Sequence, residues 1–298
     1  MTPPVPPSMI GDCFCFEHGG KRITALCDQS FDIDKRLFIG ADPEAIGTCL
    51  SAASTPTSCC NAYLVETKGA TILIDAGAGA VPFDGRAADA LAKSGIAPER
   101  IDHILLTHLH LDHVGGLLRE DAPLFPGAEV WLAAAERDFW FDDAATDEMK
   151  KRLAPSLGDD FVNTHTKIAR NALAAYDGRI RVFSEEREIL PDVKPVPLHG
   201  HTPGHTGYLF GSGGEDILFW GDVVHAAAVQ FSLPDAGLIF DWNAEEATAA
   251  RKRAFAEAAD GNWLIVGMHL PFPGVGRVRQ ETDAYTFVPF ADDGTTLI

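Results

Sequence analysis

Directly after the apolar run Ile104-Leu105-Leu106 the chain reads T-H-L-H-L-D-H-V-G-G, from Thr107 to Gly116. A strand that runs out into alternating histidine and leucine is constrained on both faces. His108 and His110 stand two apart and can converge on one point, while Leu109 and Leu111 point the other way and anchor the loop in a core. Asp112 and His113 are adjacent, so their side chains diverge, which suits two neighbouring cations better than one. A single histidine is ordinarily a hydrogen-bonded core or surface group. Four metal-compatible residues within six positions require more: the chain must fold so that further donors reach the same loop.

Three later segments can supply them. His205 lies in G-H-T-P-G-H-T-G-Y, a Pro-Gly turn between two strands, Asp222 ends I-L-F-W-G-D, and His269 ends L-I-V-G-M-H. Each sets a histidine or carboxylate at the C-terminal end of an apolar strand, where such groups gather along one rim of a sheet.

The pattern between these points alternates. Asn61 to Asp75 reads as a hairpin turning at Lys68-Gly69, Asp84 to Ser94 as a helix stopped by Gly95, and Ile101 to Leu106 as a strand. Glu129 to Ala133 predicts a strand, and Ala134 to Leu153 and Phe161 to Tyr176 predict helices. Strands follow at Ile180–Ser184, Val193–Leu198, Thr206–Gly211 and Asp216–Trp220. A helix opens at Asn243 with Glu246 three residues on, and Leu264–Met268 is the expected last strand. No linker or charge block divides the 298 residues, so they are expected to form one domain, with residues 1–60 as an N-terminal extension packed on it.

Composition narrows the partners. The formal net charge of -19 repels phosphate backbones and anionic membrane surfaces, so neither nucleic acid nor membrane is expected. The start carries no basic, apolar leader, and no apolar run is long enough to span a bilayer; the expectation is cytoplasmic. All six cysteines lie in the first 60 residues without zinc-knuckle spacing, and free buried thiols are expected rather than disulfides.

With H-L-H-L-D-H followed by T-P-G-H, G-D and a late strand-terminal histidine, the chain is similar to the metallo-β-lactamase-fold hydrolases over roughly Asn61 to Val278. That resemblance implies an α+β fold, a four-layer αβ/βα sandwich with metals at one edge. It further implies that His108, His110 and His205 hold one metal, that Asp112, His113 and His269 hold a second, and that Asp222 bridges them. Asp75, in L-I-D-A-G, matches an aspartate that supports the ligand loops, and His201 is expected in a similar supporting place. Two divalent ions are implied, zinc before manganese, cobalt or iron, with a bridging hydroxide as nucleophile.

Within the superfamily, Asp222 counts against penicillin-type β-lactamases, His110 against flavo-di-iron oxidases, and the short tail after His269 against glyoxalase II enzymes. W-G-D-V-V-H-A-A-A-V-Q-F and G-M-H-L-P-F-P-G-V-G resemble methyl parathion hydrolase and its lactonase relatives, with His225 where small homoserine lactonases carry tyrosine. The expectation is a lactonase or arylesterase acting on small uncharged esters, with organophosphate triester cleavage beside it. Asp112 would relay a proton, and His225 would meet the substrate or support Asp222. Phe139, Trp140, Phe231 and Phe272 would line an apolar cleft. The rival expectations are a mononuclear iron dioxygenase on the same fold and a thioester or β-lactam hydrolase. His18, His103 and His165 read as ordinary, and Ile168, Ala172 and Leu173 are compatible with the core or with a homodimer contact.

Overall fold

The structure, a computed structural model, describes residues 8–10, 12–53, 56–79, 84–184, 187–211, 214–282 and 284–290. Among these residues eight strands lie side by side in the larger sheet, in the order Ser8–Ile10, Cys13–His18, Lys21–Phe31, Ser58–Glu66, Thr71–Ile74, His103–Leu105, Glu129–Ala133 and Ile180–Phe183. Pairing is antiparallel as far as Thr71–Ile74 and parallel beyond it. The second sheet orders Val193–Pro197, Thr206–Phe210, Ile217–Phe219, Leu264–Val266, Val275–Gln280 and Tyr285–Pro289.

Burial along the strands shows why the sheets stack. In Ser58–Glu66, Ala62 and Leu64 face the helices while Tyr63 and Val65 face the other sheet, as the period of two demands. Phe14, Phe16, Ile72, Ile74 and Leu105 meet Tyr208, Phe210, Phe219 and Val266 in the layer between the sheets. The outer face of the larger sheet is covered by helices Ala87–Lys93, Ala134–Phe141, Asp143–Leu157 and Asp159–Ala175, and that of the smaller by Ala244–Asp260. The result is the expected αβ/βα sandwich.

Three expectations change. The helix predicted over Ala134–Leu153 is two, because Asp142 (φ -86°, ψ 112°) leaves helical backbone and its carboxylate accepts hydrogen bonds from the Ala144 and Ala145 N–H groups. Aspartate gains more from capping than from a helix interior. Leu264–Val266 is not the last strand, since Val275–Gln280 and Tyr285–Pro289 pair beyond it. The described residues among the first 60 are not laid on the sandwich from outside. Cys13–His18 and Lys21–Phe31 are strands of the larger sheet, and Ile33, Phe38 and Ile46 pack on Ala226, Val229 and Leu238. All six cysteines are free, and four of them are buried. Among the described residues no helix is long and apolar enough to cross a membrane.

The topology fixes where the polar groups emerge. Thr71–Ile74 runs parallel to His103–Leu105, and Ile217–Phe219 runs parallel to Leu264–Val266. Their C-terminal ends deliver Asp75, the 107–113 loop, Asp222 and His269 to one rim of the sandwich.

Candidate metal centre

The loop after His103–Leu105 is held from below. Leu109 is fully buried and Leu111 nearly so, and Gly115 and Gly116 lie against the Ala78 and Ala76 carbonyls, where a β-carbon would not fit. The histidines therefore cannot turn inward, and their rings crowd the rim.

Two groups of donors form there around a shared carboxylate. His108, His110, His201 and Asp222 make the first, all buried, and His113, Asp222 and His269 the second. Asp112 joins the second: its Oδ2 is 3.4 Å from His269 Nε2 and 3.7 Å from His113 Nε2. Asp222 Oδ2 is 3.1 Å from His201 Nε2, 3.1 Å from His269 Nε2 and 3.6 Å from His108 Nε2, so it stands between the groups.

One expected member is elsewhere. His205 has both ring nitrogens engaged: Nδ1 donates to the Leu198 carbonyl at 2.7 Å, and Nε2 accepts the Asp222 backbone N–H at 2.9 Å. Its lone pair is spent, and its ring fills the space beneath Gly221 (φ +59°), where a β-carbon would collide with it. His205 thus fixes the backbone that carries Asp222. His201, expected as a support, takes the place in the donor group, its Nε2 2.9 Å from His110 Nδ1.

The outer nitrogens of the rings are tied down. His113 Nδ1 donates to Asp75 Oδ2 at 2.7 Å, His201 Nδ1 to Asp241 Oδ1 at 2.8 Å, and His269 Nδ1 to the Cys59 carbonyl at 2.6 Å. Thr107 Oγ1 donates to Asp75 Oδ2 and stands 3.0 Å from His108 Nδ1. The outer bond fixes each ring's orientation, with the tautomer assigned here from the hydrogen-bond network, and turns Nε2 toward the centre. Asp75 thus accepts from both His113 and Thr107 behind the ring cluster.

The residues fit a cation on chemical grounds. His108 Nε2, His113 Nε2 and Asp222 Oδ1 are buried without a hydrogen bond, although His113 Nε2 and Asp222 Oδ1 are only 3.1 Å apart. Buried polar atoms are rarely left so, and a charged group shared among them is the ordinary remedy. Burial drives His108 and His110 far below the usual imidazole range and brings His205 down to about 3. Burial also opposes charge on His201, but hydrogen bonds to Asp222 and Asp241 overcome it and push it up to about 9. Asp222, against the same burial, is held far below the carboxylate range by the imidazoles around it, His113 foremost. The pocket has a strong demand for positive charge beside its carboxylates.

Other expected residues fall as follows. His225 Nε2 is 3.0 Å from Asp222 Oδ2, and its ring stacks on His269, so it braces that carboxylate. Trp140 and Phe231 are buried in core clusters, Phe139 packs on Trp242, and Phe272 packs on the inter-sheet core. Core packing consumes the faces of Phe139, Trp140 and Phe231 that a cleft would need, while Phe272 stays partly exposed. His165 is not ordinary: it is buried, stacks on Trp140, lies 4.8 Å from the His110 ring, and accepts the Leu111 N–H. Ala172 and Leu173 belong to the core.

Three participants carried no mark in the sequence. Glu136 accepts four hydrogen bonds, from Leu109 N, Trp140 Nε1, Thr202 Oγ1 and Gly204 N. Asp241 orients His201, and Cys60 lies beside Asp112. None occupies a distinctive motif; only the fold brings them in.

Residues 58–269 match the model of the Metallo-beta-lactamase superfamily. The chain is similar to the crystal structure of AbOPH, described as a hydrolase in the beta lactamase superfamily (TM-score 0.87, 30% identity, covering 95% of this chain and 99% of that one). It is also similar to AidC, a dizinc quorum-quenching lactonase in complex with the product N-hexanoyl-L-homoserine (TM-score 0.85, 25% identity, 94% and 97% covered). Protein YobT of Bacillus subtilis, itself uncharacterized, is 30% identical over 63% of this chain and 74% of its own length. Sheet order, the rim of histidines and carboxylates, and these matches agree, and the chain belongs to the metallo-β-lactamase superfamily.

Proposed function

We propose that this chain is a two-metal hydrolase of ester-type bonds, acting first on lactones and aryl esters, with phosphotriesters as a further substrate class. One observation carries the reading: the buried rim where three unsatisfied donor atoms, on His108, His113 and Asp222, face one another. Likeness to AidC across almost the whole chain supports a small lactone as substrate.

In this reading His108, His110 and His201 would hold one ion and Asp112, His113 and His269 the other, with Asp222 within reach of both. When bound, two divalent ions supply an activated water at neutral pH and Lewis acidity toward a carbonyl or phosphoryl oxygen. Zinc is the expected metal.

The chain's own groups then do four things. Asp75, Asp241 and the Cys59 carbonyl keep the imidazole protons on the outer nitrogens. His205 and His225 hold Asp222 from its backbone and from its Oδ2. Asp112, with its side chain 26% exposed, is the carboxylate of the group that reaches solvent, so it is the one placed to pass a proton to a leaving alkoxide. The protein's negative charge favours uncharged substrates over polyanions.

The test is an assay of an N-acyl homoserine lactone, a p-nitrophenyl ester, a thioester, a β-lactam and a phosphotriester, before and after chelation and zinc restoration. Lactone or ester turnover that disappears with the metal and returns with it is expected. Turnover indifferent to metal removal would refute the mechanism.

A further inference from the structure

Cys60 is 5% exposed, and its Sγ lies 3.6 Å from Asp112 Oδ2. With Asp112 and His269 it forms a third donor group whose ligand atoms all lie within 4.8 Å of one another. One oxygen, Asp112 Oδ2, is thus ringed by a sulfur at 3.6 Å and by imidazole nitrogens at 3.4 Å (His269) and 3.7 Å (His113). The thiol as it stands donates a long S–H···O hydrogen bond to that oxygen, while the two N···O separations exceed those of N–H···O hydrogen bonds, about 2.7–3.2 Å. The sulfur and His269 separations are those of neighbouring donors on one cation: bond lengths of about 2.3 Å to sulfur and 2.1 Å to nitrogen or oxygen, at an angle of about 110°, give about 3.6 Å for S···O and 3.4 Å for N···O. Independently, His113 Nε2 and Asp222 Oδ1, buried and unpartnered, border the same space.

We propose that the Cys60 thiolate is a ligand of the second cation, beside Asp112, His113, His269 and Asp222. The proposal rests on the two-metal reading above. On binding, the S–H bond is exchanged for a sulfur–metal bond and the proton leaves to water. The two positions then differ in kind. His108, His110 and His201 make a nitrogen site, whereas the second position carries a soft sulfur donor. That selects zinc, cobalt or cadmium over manganese or magnesium at the second position. The thiolate adds a negative charge there, so Lewis acidity is concentrated on the first ion.

The test uses the full chain loaded with cobalt(II). Visible ligand-field bands report cobalt in the nitrogen and oxygen cage, and a near-ultraviolet sulfur-to-cobalt charge-transfer band reports the thiolate. Wild type is expected to show both; the near-isosteric Cys60→Ser is expected to keep the visible bands and lose the near-ultraviolet one. Bound cobalt without the charge-transfer band, or a band that survives in Cys60→Ser, overturns the proposal and leaves the two-metal reading standing. A chain that takes up no cobalt overturns both. X-ray absorption of unmutated zinc-loaded protein decides the point even if the variant does not fold: a sulfur scatterer in the zinc shell supports the proposal, and a shell of nitrogen and oxygen alone overturns it.

Discussion

A histidine holds a cation or holds its neighbours according to how its second nitrogen is used. His201 and His205 sit four residues apart across one Pro-Gly turn, yet His201 Nε2 faces His110 and Asp222 while His205 Nε2 accepts the Asp222 N–H. Substituting each should therefore fail differently. His201→Ala is expected to bind about half the zinc of the parent, and to destabilise the metal-free protein as well because buried Asp241 loses its imidazole partner. His205→Ala is expected to cost about 3 kcal/mol of stability, from an unsatisfied N–H and carbonyl and a cavity, while still binding both ions at saturating zinc. Metal content by elemental analysis at saturating zinc distinguishes the two; equal zinc loss in both variants would contradict the division of labour. The same pair marks how much of the site could be read from sequence. The H-x-H-x-D-H loop, Asp222 and His269 declare themselves because each ends an apolar strand. Spacing in G-H-T-P-G-H offers two histidines with equal claim, and what separates them is a backbone N–H contributed from seventeen residues away.

At the scale of elements, the two ligand loops are joined through a helix. Glu136 in Ala134–Phe141 takes Leu109 N and Trp140 Nε1 on one carboxylate oxygen and Thr202 Oγ1 and Gly204 N on the other. A glutamate in a first helical turn reads from sequence as a partner for the helix dipole, so this clamp between distant loops was not legible. The elements were, because periods of two and 3.6 survive in Ser58–Glu66, Asp159–Ala175 and Ala244–Asp260. The breaks were less so: Asp142 divides a helix whose apolar pattern continues through it. Glu136→Gln turns one acceptor into a donor that faces donors, and is expected to cost about 2–4 kcal/mol and to weaken zinc binding at the first position, measured by chemical unfolding and by competition with a chromophoric chelator. A second element-scale contact gives a pH dependence. Tyr176 donates to the Leu117 carbonyl and accepts the Phe125 N–H, tying the end of Asp159–Ala175 to the loops beneath it. Burial raises its phenol to about 12, from an ordinary value near 10. A pKa raised by folding contributes stability that is complete below the unfolded value and is lost as pH climbs through the folded one. Unfolding midpoints should therefore decline between about pH 10 and 12, and Tyr176→Phe should flatten that decline; an unchanged slope would show that another group governs it.

The whole molecule adds a field to this chemistry. Forty-three acidic side chains against 24 basic ones leave a charge of -19, while the rim itself would gather two cations. On the proposed lactonase reading, a neutral lactone would approach without feeling the net charge, and its opened product, a carboxylate, would be expelled by the field, so the same imbalance would serve turnover and release. An ester that already carries a carboxylate must climb that field to enter. Screening shortens its reach, from about 30 Å at 0.01 M ionic strength to about 8 Å at 0.15 M. The expectation is that kcat/KM for an uncharged lactone stays flat across this range. For an anionic ester of the same leaving group it rises several-fold, on the order of 3–10-fold. Sodium chloride titrations of the two substrates on zinc-saturated protein measure this directly. A parallel rise for both would place the salt effect on the chain's stability rather than on substrate approach, and a fall for the anionic ester would mean that the metal pair's local positive charge, not the acidic surface, governs capture.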